Sequence, residues 1–123
     1  MVKVIVAGSR TFNDFAYLEK HLMAYFKANA LHRKDVEIIS GTAKGADSLG
    51  EQFANKYELK LTKFPADWNQ YGKSAGYIRN EEMAKYAKKD GILFAFWDNS
   101  SKGTKHMISI ASKYNIPTYI VQF

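Results

Sequence analysis

Short apolar runs of strand length alternate with longer segments whose apolar residues recur every three or four positions. This alternation constrains the fold more than any other feature of the chain. Five runs are predicted as strands: Val2–Ala7, Val36–Ser40, Lys60–Phe64, Gly91–Phe96 and Pro117–Val121. Between the first two, Phe15, Leu18, Leu22, Tyr25 and Phe26 share one face of a helix predicted from Phe15 to Ala30, with Asn13 or Asp14 as its cap. Ala46, Leu49, Gly50, Phe53, Ala54 and Tyr57 form a small-and-apolar stripe on a second helix. Pro65 ends the third strand, because proline lacks the ladder donor. A polar and aromatic loop then runs from Ala66 to about Lys73. Ser74 is placed to cap a third helix reaching about Lys88, and a fourth helix runs from about Thr104 to Tyr114.

Strands that alternate with helices pair in parallel through right-handed crossovers. The central runs are continuously apolar, as strands covered on both faces should be. The predicted fold is therefore α/β: a single three-layer Rossmann-like domain over residues 1–123, with a mainly parallel five-stranded sheet in the order 3-2-1-4-5. The 123 residues suffice for one core and not two, and 46% of them are apolar. The chain has no cysteine, which excludes disulfides, thiolate zinc sites, iron–sulfur clusters and thiol nucleophiles. Its longest apolar run, Ile92–Trp97, falls far short of the roughly 18 residues a membrane helix needs. The N-terminus enters strand pattern at once, without a secretory signal, so a cytoplasmic protein with no membrane partner is expected. His21, His32 and His106 have no metal-ligand spacing, and neither a metal nor a required cofactor is expected. The net charge of +6 favours anionic partners.

In a sheet of this order, ligands bind beyond the carboxyl ends of the strands, where the strand order reverses. Every polar motif of the chain falls just after a predicted strand or at the start of a helix. Gly8, Ser9, Arg10 and Thr11 follow the first strand; Arg10 offers a planar donor fork suited to phosphate or carboxylate. Gly41, Thr42, Lys44, Gly45 and Asp47 join the second strand to a helix whose first amides form an anion site with the lysine. Helix–sheet packing is the alternative role for Gly45, and capping for Asp47. Trp68 and Tyr71 can stack on a base, or pack their loop onto the domain. Lys73, Arg79 and Asn80 can hold an anion, or Arg79 can pair with Asp67 or Glu82. After the fourth strand, Trp97 can stack on a base, and Ser101, Gly103 and Thr104 can supply amides and hydroxyls to a phosphate that Lys102 neutralises, or the segment can form an ordinary capped turn. His106 reads as a helix-surface residue.

Taken in order, Gly-Ser-Arg-Thr-Phe, Ser-Gly-Thr-Ala-Lys-Gly-Ala-Asp, Phe-Pro-Ala-Asp-Trp, Gly-Tyr-Ile-Arg-Asn and Trp-Asp-Asn-Ser-Ser-Lys-Gly-Thr resemble the YspA-like branch of the SLOG superfamily, from Lys3 to about Val121. The resemblance implies a small-molecule ligand that is a nucleotide or a nucleotide-derived signal, for example of cyclic ADP-ribose type. The chain would act as a sensor, carrier or sequestering protein, and as a homo-oligomer. It also leaves open two alternatives, a nucleotide hydrolase and a DprA-like protein that binds single-stranded nucleic acid. The phosphoribohydrolases of the superfamily carry Pro-Gly-Gly-x-Gly-Thr and a catalytic glutamate, where this chain has Asn99-Ser100-Ser101-Lys102-Gly103-Thr104-Lys105-His106-Met107. This departure favours binding over catalysis. A hydrolase would have to draw its carboxylate from Asp47, Asp67, Glu81 or Asp98.

Overall fold

The computed structural model describes residues 1–123. Its elements run β1 (Val2–Gly8), α1 (Phe15–Ala28), β2 (Val36–Ser40), α2 (Ala46–Lys56), β3 (Lys60–Lys63), α3 (Trp68–Tyr71), α4 (Ala75–Ala87), β4 (Gly91–Trp97), α5 (Lys102–Lys113) and β5 (Thr118–Gln122). All neighbouring strands pair in parallel, in the order β3-β2-β1-β4-β5. The predicted α/β architecture and strand order therefore hold.

Strand alternation divides the core into two layers. Val4, Val6, Ile38, Phe94 and Phe96 face α1 and α2, where Leu18, Leu22, Phe26 and Phe53 meet them. Ile5, Ala7, Ile39, Leu93 and Ala95 face α4 and α5, where Met83, Ala84, Met107 and Ala111 pack. Each fully buried Leu, Ile or Phe contributes about 1.5–3 kcal/mol relative to exposure.

The differences from expectation lie at element ends. α1 stops at Ala28, because the Asn29 side-chain amide donates to the Tyr25 carbonyl and Ala30 turns left-handed at φ 52°. The 66–73 loop contains the single turn α3, where the Asp67 side chain accepts from the Gln70 amide. Ser74 makes no capping hydrogen bond; a 3-10 turn at Gly72–Ser74 runs straight into α4 instead. α5 begins at Lys102 rather than Thr104, since Ser101 is its cap and accepts from the Thr104 amide at 3.4 Å.

One sequence feature missed in advance is Glu37, which is 1% exposed inside β2. Thr62 and Tyr86 donate hydroxyl hydrogen bonds to it at 2.5 and 2.6 Å, and Lys60 lies 3.6 Å away. Burial pushes this carboxyl up, but the two hydroxyls and the charges of Lys60 and Lys3 outweigh burial and hold it below its ordinary value.

Gly8 sets the closest approach in the fold. A Cβ there would collide with the Phe96 carbonyl oxygen and come within 2.8 Å of the Ala46 Cβ. Both neighbours belong to buried residues with no free side chain to swing aside. Gly8→Ala is expected to lower stability by about 3 kcal/mol, the upper end of ordinary overpacking costs. Urea unfolding of the variant against the native chain reads this directly, and an unchanged midpoint would contradict the packing argument.

Candidate functional site

The chain leaves β1 toward the α1 face and leaves β4 toward the α5 face, which opens a crevice between the carboxyl ends of the two strands. The crevice is held by main-chain groups. The Ser9 amide donates to the Phe96 carbonyl at 2.8 Å, and the Asp98 amide donates to the Ser9 hydroxyl oxygen at 3.1 Å. Asp98 in turn accepts from the Ser100 and Ser101 amides, both at 2.9 Å. Those two amides, with help from the Ser9 hydroxyl, hold the Asp98 carboxyl down at about 2, so it is ionised at neutral pH.

The resulting cleft has two lobes. The first, of about 370 Å³, is bounded by Gly8, Ser9, Arg10 and Thr11 after β1 and by Asp98, Ser101, Gly103 and Thr104 after β4. Its floor is closed by Asp47 from α2, by Arg79, Asn80 and Met83 from α4, and by Met107 from α5. A second lobe, of about 450 Å³, is formed by Gly41, Thr42, Ala43, Lys44, Ala66 and Trp68. Arg10, Ala43 and Arg79 border both. Trp68 is 53% exposed, an indole face open to solvent at the rim.

Two like charges, Arg10 and Arg79, meet at this junction. Arg10 is exposed and takes part in none of the five ion pairs of the chain. Arg79 is half-buried; it donates to the Gly41 carbonyl and, at 3.0 Å, to the Asn80 side-chain oxygen. Burial lowers the Arg79 pKa, Asp47 opposes that shift, and the like charge of Arg10 adds to it. Asp47 itself is 5% exposed in the first turn of α2 and accepts from the Ala43 amide at 3.2 Å. Burial raises its carboxyl to about 6, against the pull of the Ala43 amide and of Arg79.

Asn80 ties the floor together. It donates to the Gly103 carbonyl at 3.4 Å and meets the His106 Nδ1 at 3.1 Å. His106 is thus not a plain surface residue. Its ring lies 4.4 Å from that of Tyr77, and burial lowers its pKa. At the cleft mouth, the Gly103 amide in the first turn of α5 has no intramolecular acceptor, and nothing stands within 4 Å of where a Gly103 Cβ would be. Thr42, beside Lys44, holds a left-handed φ of 63°, a strained conformation for a β-branched residue.

Several named residues stand elsewhere. Gly45 packs against the Ser9 and Arg10 backbone rather than facing the cleft. The Trp97 indole donates to the Ser101 carbonyl at 3.1 Å and braces the loop. Glu81 is engaged by Lys113 and Tyr114 on the outer face of α4 and α5, away from both lobes. Asp67 caps α3, and Tyr71, Lys73 and Lys102 are exposed without lining either lobe. Arg79 pairs with neither Asp67 nor Glu82. The lining residues not foreseen are Ala7, Ala43, Ala66, Met83 and Met107, whose small or apolar side chains carry no signal of a site. No group of three His, Cys, Asp or Glu side chains is placed to hold a metal ion, and no helix is long and apolar enough to cross a membrane.

Comparison with known proteins adds two findings. The family model described as "YspA, cpYpsA-related SLOG family" matches residues 2–71, which includes Arg10, Lys44, Asp47 and Trp68. The chain is 32% identical over 124 residues to the Gene 61 protein of Mycobacterium phage D29, covering 95% of this chain and 94% of that protein. No solved structure matches it.

Asp47 gives the site a pH signature. Its folded pKa of about 6 lies above the ordinary 3.8, so between those values the folded state binds more protons than the unfolded one. The contribution of Asp47 to stability therefore falls as pH rises through this window, by about 3 kcal/mol at most. Asp47→Asn keeps an acceptor for the Ala43 amide and is expected to remove that slope. Urea unfolding of both chains between pH 4 and 8 checks it; parallel curves would show that Asp47 does not titrate as its burial demands.

Proposed function

The chain belongs to the YspA, cpYpsA-related SLOG family, and from that premise we propose that it binds a nucleotide or nucleotide-derived signalling molecule. The observation that carries this reading is the pair of guanidiniums, Arg10 and Arg79, that share the border of both lobes, repel one another and take part in no ion pair. Two like charges are brought together at a cost that an anion can repay. The free Gly103 amide and the positive end of α5 add to the same field.

The finer shape of the ligand follows from where the charges stand. Anion-binding groups occupy the junction of the lobes, while the two lobes differ in character. Ionised Asp98 offers an acceptor of the kind that ribose hydroxyls require. Trp68 offers the other lobe an aromatic face on which a base can stack. A ligand with phosphate in the middle and a sugar or base at either end, of ADP-ribose type, suits this order of groups. Sensing, carrying and sequestering all need only this binding step.

A second reading draws on Asp47. A carboxyl that is half protonated near pH 6 inside the same cleft can act as a general acid toward a leaving base. Hydrolysis would then replace simple retention.

Incubating the protein with a pool of nucleotides, removing unbound material and identifying what heat releases by mass spectrometry separates these readings. An intact ligand supports binding, a free base with ribose phosphate supports hydrolysis, and an empty protein contradicts both for that pool. Arg10→Ala, which removes no internal contact, is expected to weaken the recovered ligand about tenfold to a hundredfold, the worth of one charge-assisted interaction. Affinity is also expected to drop as pH rises through about 6, where Asp47 ionises beside the anion, and Asp47→Asn should abolish that drop. Unchanged affinity in Arg10→Ala would remove the junction from the site.

A further inference from the structure

We propose that His106 is a positioning residue for the cleft: acting through the side-chain amide of Asn80, it holds the Arg79 guanidinium in the orientation that meets an anion. The proposal rests on the anion-binding reading of the cleft and adds to it a residue that lines neither lobe.

The polarity of the partners fixes the protons in this cluster. A guanidinium Nε can only donate, and a carbonyl can only accept. Arg79 Nε lies 3.0 Å from the Asn80 Oδ1, and the Asn80 Nδ2 lies 3.4 Å from the Gly103 carbonyl oxygen. Both contacts demand the same orientation of the amide. Its Nδ2 then also meets the His106 Nδ1, 3.1 Å away. An amide NH2 has no lone pair to offer, so that ring nitrogen is the acceptor. His106 is therefore neutral, with its proton on Nε2.

Asn80 is 5% exposed, so water does not stand ready to replace a lost partner. Turning the amide over would set its NH2 against the Arg79 Nε–H and its oxygen against the Gly103 carbonyl. His106 and Gly103 thus hold the amide from one side, and the amide holds Arg79 from the other. The second anchor of the guanidinium is the Gly41 carbonyl, which accepts from Nη1. With Nε and Nη1 both tied, the plane of the fork is set, and its remaining N–H groups are left for a ligand. Without the His106 acceptor, one end of the amide is loosened and the Nε anchor with it.

The first test needs no ligand. Long-range proton–nitrogen correlation spectra at neutral pH are expected to show the His106 ring with Nδ1 bare and Nε2 protonated. A proton on Nδ1 would overturn the proposal. Two variants then separate the acceptor from the bulk of the ring. His106→Leu keeps an apolar body beside Tyr77 and removes the acceptor, whereas His106→Asn loses bulk and keeps an oxygen close to where Nδ1 stood. Exchange of the Arg79 Nε–H with water is expected to quicken in His106→Leu and to stay near the native rate in His106→Asn. The reverse order would show that the ring only packs, and would overturn the proposal. Inorganic pyrophosphate serves as the anion probe: its affinity is expected to fall about tenfold in His106→Leu and to stay within about twofold of native in His106→Asn. Pyrophosphate bound by none of the three chains would overturn the anion-binding reading itself, and this role with it. Pyrophosphate bound equally by the native and His106→Leu chains would overturn the role of His106 alone.

Discussion

The contact between the ends of β1 and β4 is the constraint on which the rest of the site depends. Gly8 has no side chain, so the Phe96 carbonyl can press against it, and the Ser9 amide then closes on that carbonyl. The Ser9 hydroxyl receives the Asp98 amide and supports the Asp98 carboxylate, which gathers the Ser100 and Ser101 amides. That chain of bonds aims Ser101 as the cap of α5 and leaves the Gly103 amide of the helix open at the cleft. Ser9 is therefore a structural residue first. At 1% exposure its hydroxyl is committed to the loop after β4, and the groups free to meet a ligand are the ones it positions.

The cleft's electrostatics follow from which charges are spent and which are left over. Glu81, Glu51, Glu37, Glu19 and Glu58 are each engaged by a lysine or arginine away from the cleft. Arg10 has no such partner, and Arg79 has only neutral acceptors and the more distant Asp47. Burial raises the Asp47 carboxyl to about 6, so a small fall in pH or an approaching anion brings a proton to it and makes the junction more positive. An anion arriving there meets two guanidiniums whose repulsion it relieves and a carboxyl that a proton can keep neutral. On the proposed reading, anion binding and proton uptake would be coupled at this one place.

Much of this was legible in the chain itself, because local rules govern the parts that were read correctly. Alternating strand and helix periods fixed a parallel sheet, and the reversal of strand order located the cleft. Arg10, Asp47, Arg79 and Asp98 could be named because polar residues just after the strands of such a sheet, or early in the helices that follow, lie at one end of it. The residues read differently are the ones whose roles depend on distant partners. Glu37 sits in an apolar strand and is made tolerable by Thr62, Tyr86, Lys60 and Lys3, which no local pattern connects to it. His106 meets Asn80 from another helix. Gly45 and Trp97 carry the right residue types at the right places, yet one packs against backbone and the other braces a carbonyl. Spacing along the chain reports which end of the sheet a residue occupies; it does not report where the side chain is spent.

The free β5 edge and the cleft are also joined through the fold. Parallel strands bring the end of β5 to the same side of the sheet as the ends of β1 and β4. There the Gln122 amide donates to the Asn99 side-chain oxygen at 3.2 Å, and Asn99 belongs to the turn that Asp98 organises. Tyr17, from α1, holds the Gln122 carbonyl. The end of β5 therefore restrains the 98–101 turn, and through it the first turn of α5. Ordering that turn within the fold removes conformational freedom that a ligand would otherwise have to remove on binding.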